Sequence, residues 1–146
     1  MRLLLDSHTF LWFIRGDPKL SGHAREAIED VDNERLLSTG SLWELSIKAS
    51  LGKLRLNMTI AELVREHVTG NAMSLLTIRP EHLDVLVTLP FHHKDPFDRL
   101  LIAQALTEGV AILGKDRIFD AYGVERVWKR KTESDSATEE DPLIKP

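Results

Sequence analysis

The strongest constraint on the fold of this chain is a rhythm. Five short apolar runs, "RLLLD", "RLLST", "SLLTI", "VAILGK" and "VERVW", are separated by longer segments of helical character. The first reads as a short buried strand ending at Asp6, and the helix "SHTFLWFI" follows it. "LSGHAREAIED" reads as a second helix with Ser21 as its N-cap. "SLWELSIKASLG", after the second strand, is a helix expected to be capped by Ser41 and to end near Gly52. "TIAELVREHV" is a further amphipathic helix, and "PEHLDVLVTL" is one opened by Pro80. Asp95 announces another, and "RIFDAYG" a short one. Strands alternating with helices predict an α/β domain: a mostly parallel sheet with helices on both faces.

No internal repeat or linker interrupts this pattern before residue 131, so residues 1–130 are expected to form one domain. Residues 131–146 carry two lysines and five acids, a net of −3, against −4 for the whole chain. With little to bury, that acidic tail is expected to be disordered. At its start lies the basic cluster of Arg126, Lys129, Arg130 and Lys131, which can track phosphates but more simply suits a solvated chain end. There is no cysteine, which excludes disulfides and thiolate metal sites and fits a reducing, cytoplasmic setting. The three leucines before Asp6 are too few for a signal-peptide core, and no stretch reads as a membrane span.

The chemistry lies in the acids. In open α/β sheets, sites form beyond the carboxyl ends of the strands. Asp6 closes the first strand, Asp116 follows "VAILGK", Glu44 falls in the first turn of the helix after "RLLST", and Asp98 lies in the first turn of the helix that Asp95 begins. Each has a local explanation: Asp6 and Asp116 as helix caps, Glu44 as an i,i+4 partner of Lys48, Asp98 as a capping-box acid favouring the helix dipole. Taken together, they are four carboxylates placed to meet at one sheet edge. Carboxylates so crowded repel one another, and a divalent cation relieves the repulsion. Oxygen-only ligands suit Mg²⁺ or Mn²⁺, and the chemistry such a site supports is phosphodiester hydrolysis.

Four blocks, "LLLDSHTFLW", "SLWELSIKASLGKL", "DPFDRLLIAQAL" and "KDRIFDAYGV", resemble in this order the PIN-domain family, and look most like its bacterial VapC-type toxins. The similarity runs from the first residues to about Trp128. It implies a PIN-like three-layer fold and a metal-dependent ribonuclease. The family's acidic quartet corresponds to Asp6, Glu44, Asp98 and Asp116 as metal-binding and catalytic residues, with Mg²⁺ (or Mn²⁺) as cofactor. It also implies an RNA substrate, a cognate antitoxin that occupies the acidic groove, and a homodimer. Asp95 is then left as the cap. Where many members carry Ser or Thr two residues before the fourth acid, this chain has Gly114, and Ser7 or a water is the candidate to replace the hydroxyl. His8, Lys48, His92, His93, Arg99 and Arg117 are the candidate substrate contacts, while Trp12, Phe13 and Trp43 are expected in core or interface.

The alternative is a non-catalytic PIN-fold module that binds RNA or protein without turnover. A haloacid-dehalogenase-like phosphatase would place a second Asp two residues after Asp6, where His8 stands. A receiver domain would place its Asp after a central strand, where "SLLTI" is followed by Arg79 and Pro80.

Overall fold

The computed structural model describes residues 1–130. The expected acidic tail and Lys131 lie outside the described residues. Leu3, Leu4 and Leu5 of β1 (Arg2–Leu5) are all fully buried. Successive side chains of a strand point to opposite faces. Leu3 and Leu5 accordingly join one apolar cluster and Leu4 the other. Three consecutive buried leucines place β1 at the centre of a sheet covered on both sides.

Four more strands complete that sheet: β2 (Glu34–Ser38), β3 (Ser74–Leu76), β4 (Ala111–Leu113) and β5 (Arg126–Val127). Their order is β3-β2-β1-β4-β5, and every pairing is parallel. Leu4 pairs with Leu36 on one side and Ile112 on the other. One face carries α1 (Ser7–Arg15), α2 (Gly22–Glu29), α3 (Thr39–Ser50) and α4 (Ile60–Leu63), packed through Phe10, Ile28, Leu45 and Leu63. The other carries α5 (Pro80–Thr88) and α6 (Pro96–Glu108), packed through Leu89, Leu101 and Ile102, with Phe119 of the 3₁₀ turn Arg117–Tyr122. The three layers expected of an α/β domain are therefore present.

Two local expectations need correction. Ser41 does not cap α3. Ser38, the last residue of β2, does so by accepting the Gly40 N–H at 3.0 Å, and the helix starts at Thr39. Glu44 consequently falls in the second helical turn rather than the first. The segment after Thr59 is not one regular helix: a single α turn with a capping box at Thr59 and Glu62 gives way to a π turn at Val64–Val68.

Gly40 has a packing reason. A Cβ there would lie 2.5 Å from Cδ2 of Leu100 and 3.2 Å from Ser38 Oγ, so glycine lets α3 approach α6. This closeness brings the start of α3 and the start of α6 to the same end of the sheet. The chain builds β1, β2 and β3 outward on one side, then returns to lay β4 on the other flank of β1. The strand order reverses between β1 and β4, and a crevice opens beyond their carboxyl ends at such a point.

Candidate active site

Asp6 stands at that crevice. Its backbone N–H donates to the Leu113 carbonyl at 3.1 Å, prolonging the β1–β4 ladder by one bond. It occupies the N-cap position of α1, yet its side chain makes no capping hydrogen bond. The buried carboxylate is thus not engaged in ending a helix. His8 Nδ1 lies 3.8 Å from Asp6 Oδ2, and the neighbouring carboxylate draws the His8 pKa upward, against partial burial and the charge of Lys48.

Glu44 is buried on α3. Ser7 Oγ donates to its Oε1 at 2.9 Å, and Lys48 Nζ lies 3.1 Å from its Oε2. The i,i+4 pair with Lys48 is present, but its acid faces inward toward the residue that follows Asp6.

The two aspartates of "DPFD" divide their roles. Asp95 accepts from the N–H groups of Phe97 at 2.8 Å and Asp98 at 3.1 Å and is a plain cap. Asp98, at the third helical position, does not reach back as a capping-box partner. Its Oδ2 meets His93 Nε2 at 2.7 Å. Burial pushes the Asp98 pKa to about 6; the hydrogen bond from His93 opposes the rise, and the charges of Asp6 and Asp95 add to it. An acid so placed is short of positive charge.

Asp116 caps the 3₁₀ turn after β4, its Oδ1 accepting from Ile118 N–H at 3.0 Å. Each of His93, Asp98 and Asp116 offers a ligand atom, and these atoms all lie within 4.8 Å of one another. Among the described residues this trio is the group close enough to share an ion; Asp6 and Glu44 are not part of it, although the Asp6 charge reaches Asp98. The donor set, two carboxylates and an imidazole with a third buried carboxylate adjacent, fits a divalent cation. Gly114 lets the turn after β4 lie against Asp6: a Cβ there would sit 3.3 Å from both Asp6 Cβ and Phe119 Cε2. A serine or threonine at this position would press on the acid itself.

Of the other candidates, Lys48 and His8 border Glu44 and Asp6, and Arg117 is exposed beside Asp116. His92 stands apart, exposed with its ring edge-on to Tyr122 at 5.1 Å. Arg99 requires a correction. It is only 5% exposed, and its guanidinium donates to the carbonyls of Pro90 at 2.9 Å, Leu89 at 3.1 Å and His93 at 3.3 Å, beneath the Phe91 ring at 4.0 Å. A cation so enclosed by backbone oxygens organises a loop and is not available to substrate or to Asp98. Arg126 and Arg130 of the basic cluster are likewise paired, with Asp120 and Glu26.

Sequence reading gave no role to Tyr122. Its hydroxyl accepts the His93 N–H and donates to the Pro90 carbonyl, both at 2.8 Å. A lone tyrosine in a turn carries no signal of that kind. Trp43 is 61% exposed, so it is not core; it meets Phe97 edge-on at 5.5 Å.

The fold and the site define a class: a doubly wound parallel domain with carboxylates and a histidine gathered at its switch point, suited to a divalent cation. Comparison with known proteins supplies the family. The PIN domain model matches residues 3–125, and the chain belongs to the PIN-domain family. It is similar to Ribonuclease VapC22 of Mycobacterium tuberculosis (strain ATCC 25618 / H37Rv), at 32% identity over 116 residues, 79% of this chain and 87% of that protein. Among solved structures it is similar in fold to VapBC2 from Rickettsia felis bound to a DNA fragment from its promoter. The TM-score is 0.65 at 14% identity, covering 88% of this chain and all (100%) of that one. A domain of a functionally unknown protein from Methanocaldococcus jannaschii DSM 2661 aligns at TM-score 0.49 and 14% identity, over 88% of this chain and 91% of that one.

Proposed function

We propose that this protein is a metal-dependent endoribonuclease acting as the toxin of a toxin–antitoxin pair. The observation that carries the reading is the meeting of Asp98 and Asp116 beside the buried Asp6, at the switch point of a PIN domain. Similarity to a ribonuclease of the VapC type supports it. Asp98 and Asp116 would hold Mg²⁺ or Mn²⁺, with Asp6 and Glu44 completing the acidic wall. The bound ion supplies a lowered pKa for a coordinated water and charge stabilisation for the phosphoryl oxygens. Ser7 and Lys48 each hold one oxygen of the Glu44 carboxylate and so fix its orientation. Lys48, His8 and Arg117 would meet an RNA backbone along the rim, with His92 on the loop beyond. An antitoxin that occupies the acidic crevice and a second copy of the chain are the partners of this reading.

The test is cleavage of single-stranded RNA by the purified protein. Cleavage should require Mg²⁺ or Mn²⁺, stop with chelator, and fall at least about 100-fold in Asp98→Asn. Undiminished cleavage by that variant overturns the reading. RNA bound but never cut in either metal points instead to a non-catalytic binding module.

A further inference from the structure

His93 lies outside the acidic quartet, yet its imidazole is in hydrogen-bond contact with Asp98. We propose that His93 is itself a ligand of the divalent cation, through an imidazole nitrogen, so that the site is a mixed nitrogen–oxygen centre. The inference rests on the cation being held at Asp98 and Asp116, as the proposed function has it.

Geometry is the first argument. Neighbouring ligands at about 2.1 Å from an ion and at right angles are about 3 Å apart. His93 Nε2 and Asp98 Oδ2 are 2.7 Å apart, and the ligand atoms of His93, Asp98 and Asp116 lie within 4.8 Å. Shifts of a few tenths of an ångström at the first pair, and a modest closure on Asp116, suffice to place one ion among all three.

The second argument is how firmly the loop is built. A histidine on a connection of this kind is ordinarily mobile. Here its N–H is held by Tyr122 and its carbonyl by the buried Arg99, which also grips the carbonyls of Leu89 and Pro90. Phe91 covers that guanidinium. A buried charge and a tyrosine thus fix the backbone of the residue that faces the acids. Such support behind a ligand is what holds it in productive orientation.

The chemical consequence is selectivity. Oxygen-only sites accept Mg²⁺ and Mn²⁺ alike, whereas an imidazole ligand is poorly matched to the hard Mg²⁺ and better tolerated by first-row transition ions. His93 therefore tilts the site toward Mn²⁺.

The experiment uses the full, untagged chain loaded with Mn²⁺ alone, read by electron spin-echo envelope modulation for directly bound ¹⁴N, with calorimetric Mn²⁺ and Mg²⁺ affinities alongside. Wild type and His8→Gln should show nitrogen modulation, and His93→Gln should lack it. Mn²⁺ affinity should fall at least about 10-fold in His93→Gln, and Mg²⁺ affinity by less. His93→Asn serves as the second variant should Gln disturb the loop. Mn²⁺ bound without nitrogen modulation in wild type, or with modulation that survives in both His93 variants, overturns the inference while leaving the acidic metal site standing. Failure of wild type to bind Mn²⁺ at all overturns both.

Discussion

Asp98 is the residue at which the conflict between folding and chemistry is sharpest. Its pKa, ordinarily 3.8, is pushed to about 6, first by burial. The folded protein therefore holds this proton more tightly than the unfolded chain. As pH rises from about 4 to about 6, the folded state binds more protons than the unfolded one, and stability falls; above that window the penalty is complete. In chelated protein at pH 7.5, Asp98→Asn should be more stable than wild type by on the order of 1–3 kcal/mol. The gain should vanish below about pH 4. Urea denaturation at the two pH values checks this, and an equal gain at both would assign the effect to packing instead of charge.

At the scale of elements, two contacts decide how the layers meet. Gly40 sets the separation of α3 and α6. Gly40→Ala drives a methyl group against Leu100 and should cost about 1–3 kcal/mol. Much of that loss should return in Gly40→Ala/Leu100→Val, and a double-mutant cycle measures the coupling. Additive losses would mean that the strain falls on Ser38 or the backbone. The second contact latches α5 to α6. The wholly buried His82 accepts the Arg79 N–H on Nδ1 at 3.0 Å, so its Nε2 carries the proton that meets Glu108 Oε2 at 2.9 Å. Arg79 pairs with the same carboxylate. The hydrogen bond to His82 lowers the Glu108 pKa, with Arg79 helping. A lowered carboxylate pKa contributes stability above its unfolded value of 4.5, lost as pH falls through the folded value. Glu108→Ala should therefore destabilise by about 1–2 kcal/mol at pH 7 and by clearly less at pH 3. A loss independent of pH would point to packing.

For the whole molecule, a cation that binds the folded state alone must stabilise it. At 100-fold its dissociation constant the gain is about 2.7 kcal/mol, which for a domain of this size raises Tm by roughly 5–10 °C. Thermal melts with Mn²⁺ against chelator should show that rise in wild type and its near loss in Asp98→Asn. An unchanged wild-type Tm at saturating Mn²⁺ would remove the cation site.

What the sequence by itself determined was local and periodic. The apolar runs specify strands, because three consecutive leucines in β1 can be satisfied only between two covered faces. Ser21 and Asp95 specify helix starts, because their caps are made within three residues. The alternation specifies a parallel sheet, and the four acids were legible as a set through the blocks that carry them. Only the tertiary structure decided the order β3-β2-β1-β4-β5, and with it the switch point, since pairing between distant strands leaves no trace in local spacing. It brought Asp116 to Asp98 and turned Glu44 toward Ser7. It separated two neighbours that read alike: Asp98 faces the crevice, while Arg99, one residue on and about 100° around the helix, is buried under Phe91. And it put His93 against the acids, because the loop that carries it is held by Arg99 and Tyr122, residues whose role depends on what they touch rather than on where they stand in the chain.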